Sequence, residues 1–421
     1  MTATIPYRVG DWLPSDQAHF DAWLSNCIAQ ADAELRPFHP VIQNFQDFIE
    51  GNPDVFMLFS QMFTEVRHER SPTGEPQLKD YKQMLRVLNR IMTQPPEFNE
   101  TGLVGFPINA ILDWSMGTVA GFSAFLRQDV NAQLKIVLDQ WARFLGSRDS
   151  VSTLTDKPDG WLSKAAFRAM APAGTADPRQ YFIDTFTCDP AAPNFGYTCW
   201  DDFFTREFRD GARPVAGPGD DSIIANACES APYNHKTNVA REAEFWIKGQ
   251  PYSLTHMLAG DPDTDRFVGG TVYQAFLSAK SYHRWHSPVS GRIVKAYNVP
   301  GTYYSESWLN RTDPAGPNES QGYITSVAAR ALIFIEADNP AIGLMCFAAV
   351  GMAEVSTCQI TVYEGQHVQK GEQLGTFHFG GSTHCLIFRP ETKLQFDFHG
   401  QKPNLNATNI PINAKIASVT C

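Results

Sequence analysis

The feature that most constrains this chain is a change of hydrophobic period near its middle. Up to about residue 195, apolar residues recur at three- and four-residue steps, which gathers them on one face of a helix. From about Asp201 onward, short β-branched and aromatic runs alternate with Gly, Pro and Asn turns, the pattern of strands. One layer of a single kind cannot satisfy both patterns. The expectation is an α+β protein with a helical N-terminal domain over residues 1–195 and a mostly antiparallel β-rich domain over 196–421. At 421 residues, each part is long enough to bury its own core.

The helical reading rests on Phe45, Phe48 and Ile49, on residues 54–65 (DVFMLFSQMFTE) and on residues 79–92, stopped by Pro95 and Pro96. Residues 121–145 read as one long helix closed by Gly146. The Pro-, Asp- and Ala-rich stretch 156–194 is the expected boundary, with a short helix over 161–170. Strands are expected at 222–225, 271–277, 291–297, 331–336, 343–350, 358–363, 375–379 and 394–398, in a sandwich or an open barrel.

Charge limits the choice of partner. Lys and Arg number 34 against 45 Asp and Glu, a net −11, which argues against nucleic acid or an anionic bilayer as the main partner. The most apolar stretches, such as 343–352, reach about half the length needed to span a membrane. The first residues, MTATIPYRVGDW, lack the basic start and apolar core of a signal peptide. The eight cysteines are scattered with no CxxC pair, so the expectation is reduced thiols in a cytoplasmic protein.

Eight of the eleven histidines follow residue 200, so the chemistry is expected there. One cluster is YHRWHSP, with His283 and His286; another is FHFGGSTH, with Ser382 after two glycines. Taken alone, GGST reads as a turn. A hydroxyl beside a strained Gly-Ser peptide can also attack the preceding carbonyl, given a base and a group to orient that base. Two histidines three apart are open to metal binding or to a plain buried pair, and no third ligand accompanies them. No metal site is expected.

The clusters occur in order with two further motifs: FFTREFRDGARPV (203–215), KGQPYSLTHMLAG (248–260), FLSAKSYHRWHSPVSG (276–291) and FHFGGST (377–383). Together they resemble the phosphatidylserine decarboxylase family, from about Asp201 to the end. HPVIQNFQDFIEGNP (39–53), GFSAFLRQ (121–128), ACES (227–230), VPGTYY (299–304) and GMAEVSTC (351–358) resemble its fungal tryptophan-decarboxylase branch. The resemblance implies that Ser382 attacks the Gly381 carbonyl and, after cleavage between Gly381 and Ser382, becomes a covalent pyruvoyl cofactor. It implies that His286 is the base for cleavage and that His283 serves the later decarboxylation. Glu229 stands where the family has Asp, and would orient His286 or remain a bystander. Ser281 replaces a frequent family Asp. Phe379, His378 and Met352 are expected at the substrate pocket, although aromatics on strands are as often core.

The implied partner is a small amino-acid substrate, L-tryptophan foremost, with the large and small chains from one precursor staying associated. A phosphatidylserine substrate is the alternative. A third reading, a carrier module, rests on the cadence of VYEGQHVQKGEQLG (362–375) and on Lys370 in its turn.

Overall fold

The computed structural model describes residues 17–34, 36–69, 78–99, 106–243, 252–307, 320–354 and 357–420. The start of the chain, residues 248–251 of the second motif and 355–356 of GMAEVSTC lie outside these. Backbone contacts divide the chain into two compact units. The first holds the described residues up to Phe182, with Cys188–Phe203 and those of Thr302–Ser320; the second holds Ile183–Thr187, Phe204–Gly301 and Gln321–Cys421. The sequence suggests a single boundary, whereas the chain crosses several times. A short excursion carries too few residues to show a hydrophobic period of its own.

The first unit is helical, with α1 (Gln17–Ala33), α2 (Pro40–Gly51), α3 (Pro53–Glu69), α4 (Tyr81–Ile91), α5 (Pro107–Met116), α6 (Val119–Phe125) and α7 (Gln128–Leu145). Helix α4 starts where the Asp80 carboxylate accepts the Gln83 amide at 2.8 Å, and it buries Met84, Leu85, Leu88 and Ile91. Phe45 of α2 meets Phe59 of α3 edge to face at 5.7 Å. The long helix expected over 121–145 is two. Arg127 is extended (φ −68°, ψ 133°), and Asn131 Nδ2 donates to the carbonyls of Phe125 and Arg127 at 2.8 and 2.7 Å. Helix α5 is buried on every side, so it has no polar face and shows no period.

The second unit contains a seven-stranded antiparallel sheet. In spatial order its strands are β2 (Ala231–Thr237), β3 (Thr271–Leu277), β11 (Gly381–Phe388), β7 (Leu344–Met352), β6 (Arg330–Ala337), β5 (Gly291–Val299) and β9 (His367–Val368). A smaller sheet orders β4 (Arg284–His286), β10 (Gln373–His378) and β8 (Thr357–Ile360), and another orders β1 (Ile223–Ala225), β13 (Lys415–Val419) and β12 (Leu394–Phe396). One face of the large sheet presents Tyr273, Ile333, Phe347, Leu386 and Phe388. The other presents Val272, Phe334, Cys346, Val350, Cys385 and Ile387. The β4–β10–β8 sheet lies on the first face, where the Trp285 ring is 4.9 Å from Phe377 and 5.6 Å from Phe347.

Candidate active site

Strand β10 ends at His378 and β11 starts at Gly381, so Phe379 and Gly380 alone carry the chain from the small sheet into the middle of the large one. Gly380 makes this crossing at φ 146°, a conformation that residues with a Cβ rarely adopt. Ser382 follows directly, paired with Leu277 of β3 and Gly351 of β7. It is fully buried, and its Oγ has no hydrogen-bond partner. The GGST segment is therefore a turn only in its first part; its Gly381, Ser382 and Thr383 belong to a central strand.

Strand alternation puts Ser382 and His384 on the face that carries Leu386 and Phe388. His384 is fully buried, between Tyr273 and Phe347, with ring centroids 6.0 and 5.9 Å away. Neither of its nitrogens has a partner, and burial pushes its pKa down to about 3. The sequence reading gave it no role, although a period of two from Ser382 points to it. Thr383 faces the other way, donating to the Ala275 carbonyl at 2.9 Å and accepting from Gln274 Nε2 at 3.0 Å.

His286 ends β4, its amide bonded to the Ala227 carbonyl at 2.9 Å. Its Nε2 lies 3.0 Å from the Tyr282 hydroxyl. Burial pushes its pKa down to about 4, opposed by the Asn413 side chain. Asn413 Nδ2 donates to the Arg213 carbonyl at 3.1 Å, while its Oδ1 and the Nδ1 of His286 are both buried without a hydrogen-bond partner.

Glu229 does not make the expected contact with His286. Its carboxylate accepts Arg213 Nη2 at 2.7 Å and Nε at 3.0 Å, and the Ile412 amide at 2.8 Å. A guanidinium matches both carboxylate oxygens at once, so Arg213 outcompetes a single imidazole N–H. His283 is fully buried with both ring nitrogens unpaired, stacked on Phe204 at 3.9 Å. Burial and then the Arg206 charge hold its pKa well below the usual histidine range. Ser281 Oγ accepts from Asn409 Nδ2 at 3.1 Å and lies 3.3 Å from Ser278 Oγ.

The three residues expected at the substrate pocket do not converge. Phe379 is buried edge to face against Phe204 at 5.3 Å. His378 Nε2 pairs with Gln359 Oε1 at 2.7 Å, across β10 and β8. Met352 is paired with Gly381 but packs in the core on the face opposite Ser382, because neighbouring positions of a strand alternate. Lys370 is not presented as a carrier lysine; it is buried, its Nζ donating to the carbonyls of Asp220 and Ile223 at 2.7 and 3.0 Å.

Comparison with known proteins agrees with the motifs. A family model described as phosphatidylserine decarboxylase matches residues 200–408, and a second of the same description matches 39–170. The chain is 39% identical to L-tryptophan decarboxylase of Psilocybe cyanescens, over 98% of this chain and 95% of that one. It is 43% identical to the decarboxylase iboD of Amanita muscaria, over 74% of this chain and 94% of that one. A phosphatidylserine decarboxylase proenzyme of Schizosaccharomyces pombe is 30% identical over 50% of this chain and 21% of its own length. With both halves matched and near-complete overlap with a relative of this identity, the chain belongs to the phosphatidylserine decarboxylase family and is a carboxy-lyase.

Proposed function

We propose that the chain cuts itself between Gly381 and Ser382, that Ser382 becomes a covalent pyruvoyl group, and that the processed enzyme decarboxylates L-tryptophan to tryptamine. The observation that carries the cleavage is the unpaired, fully buried Ser382 Oγ, one residue past the crossing at Gly380. A buried hydroxyl without a partner costs about 1–3 kcal/mol. Its persistence is accounted for by a serine whose oxygen is consumed.

In the cleavage, Ser382 Oγ adds to the Gly381 carbonyl carbon and the peptide C–N bond breaks, leaving an ester and a free amine on Ser382. Loss of the Ser382 α-proton expels the Gly381 carboxylate, which keeps the serine oxygen, and leaves dehydroalanine. Water then releases ammonia. His286, neutral at pH 7, is the base for the Ser382 proton. A pyruvoyl carbonyl supplies an electron sink for the pair left when an amino acid loses CO2. His283, neutral on the Phe204 ring, is assigned to substrate contact or proton donation in that later reaction. The choice of tryptophan follows the activity for which the Psilocybe relatives are named, and cysteine usage supports a cytoplasmic enzyme.

Intact mass of the denatured protein tests the first part. The expected result is a large chain ending at Gly381 and a small chain of residues 382–421, one ammonia lighter than its serine-started form. Ser382→Ala is expected to give one uncut, inactive chain; a cut Ser382→Ala protein overturns the mechanism. Processed enzyme is then offered free tryptophan or phosphatidylserine liposomes, with CO2 as the readout. Release from the liposomes alone overturns the substrate assignment.

A further inference from the structure

Apart from Phe204, the motif FFTREFRDGARPV has no task in the reactions above, yet its Arg206, Phe208 and Arg213 build, with Phe186, a column against the histidine segment. The Arg206 guanidinium lies 4.5 Å from the centre of the Phe186 ring, and Phe186 stacks on Phe208 at 5.0 Å and 16°. Phe208 stacks in turn on Tyr282 at 4.0 Å and 28°. The Arg213 guanidinium lies 4.6 Å from the centre of the Phe208 ring while holding both oxygens of Glu229. Tyr282 then meets His286 Nε2 through its hydroxyl at 3.0 Å. Glu229 thus reaches His286 through a guanidinium, a phenyl ring and a phenol.

We propose that Tyr282 is the positioning residue of His286, and that Phe208 and Arg213, anchored by Glu229, hold Tyr282 in place. The inference rests on the reading of His286 as the base for self-cleavage. Glu229 already accepts N–H groups from Arg213 and Ile412, so it has no oxygen left idle for an imidazole. In this arrangement the Tyr282 phenol donates to Nε2, the ring nitrogen it meets at 3.0 Å, which makes Nε2 the basic atom and puts the imidazole hydrogen on Nδ1. A phenol hydrogen turns freely about the C–O bond, so Tyr282 sets the imidazole plane and tautomer and still yields the lone pair to another donor. Stacking at 4.0 Å by Phe208 restricts the phenol ring, which keeps the hydroxyl aimed. The charged and titratable groups around this pair are Arg284 beside both residues, and Glu207, Glu229 and Cys228 around Tyr282. Arg284 and Glu207 pair with each other at 3.1 Å.

The test follows self-cleavage of the full chain, pulse-labelled in a cell-free lysate and chased across a pH series, with appearance of the small chain as readout. Tyr282→Phe keeps the ring column and removes the hydroxyl. It is expected to slow cleavage about tenfold by loosening the base. It is also expected to move the midpoint of the rate–pH curve upward, because an imidazole that loses a donor to its neutral form keeps its proton to higher pH. Phe208→Leu is expected to slow cleavage and Phe208→Tyr to restore it. A merely structural role would lower the folded fraction without moving the midpoint. Cleavage of Tyr282→Phe at the unsubstituted rate and midpoint overturns the inference alone. If that variant does not fold, equal rates for Phe208→Leu and Phe208→Tyr overturn it. An unsubstituted chain that stays whole removes the cleavage reading and this inference with it.

Discussion

Three histidines of the second unit are held neutral chiefly by burial, and are set apart by their neighbours. His286 meets a phenol, His283 lies flat on Phe204, and His384 sits among rings with no polar partner. The different surroundings predict different phenotypes. His286→Ala is expected to leave the chain uncut, whereas His283→Ala is expected to be cut but to lose turnover. Gel analysis of cleavage beside an amine assay checks both, and equal, complete loss of cutting would remove the division of roles. Burial also carries a pH signature. The folded pKa of His384, about 3, lies below its ordinary 6.5, so the unfolded chain binds more protons between those values. The stability is therefore full above pH 6.5 and is lost as pH falls toward 3, on the order of 2 kcal/mol by about pH 5. Thermal melts of uncut Ser382→Ala chain at pH 7 and pH 5 are expected to show this loss, and His384→Met on that background to reduce it. His283, His286 and Ser382 were legible in the motifs; His384 was not. The partners of Glu229 were not, because Arg213 is sixteen residues upstream and nothing in local spacing says which cation reaches a carboxylate first.

Among the elements, β10 and β11 show what a pattern reveals and what it hides. Strand β10 alternates visibly and was expected, as were β3, β5, β6 and β7. Strand β11 is absent from the strands expected from sequence: GGST reads as a turn, and Ser382, Thr383 and His384, polar yet buried on both faces, break the apolar pattern. The apolar run that remains, Cys385 to Phe388, is only four residues long, at the short limit by which a buried strand is recognised. Strand β10 also carries the close approach that seats β4. A Cβ on Gly375 would lie 2.5 Å from the Trp285 ring and 2.3 Å from the Gln359 carbonyl oxygen. Gly375→Ala is accordingly expected to cost about 1–3 kcal/mol by overpacking. Because Trp285 adjoins His286, the same variant is expected to slow cleavage. Urea midpoints and cleavage rates measured together check this; an unchanged midpoint would mean that the ring has room to move.

For the whole molecule, the cut is expected to leave the fold intact. Strand β11 would lie on the small chain, yet it is hydrogen-bonded between β3 and β7 of the large one, and β13 is paired with β1. The two chains are therefore expected to co-elute in native size-exclusion chromatography and to separate only in denaturant; separation in plain buffer would contradict this. Among the described residues, no helix is long and apolar enough to cross a membrane. Composition, period and ordered motifs by themselves determined the α+β class, most strands of the second unit and the family, and they singled out the serine proposed to react. These are carried by local spacing, which a linear chain displays directly. The tertiary structure alone decided that Ser382 lies inside a central strand, that Met352 faces away from it, and that Glu229 belongs to Arg213 while Tyr282 meets His286. Those facts depend on register and on competition between partners far apart in sequence, and such contacts exist only once the sheets have packed.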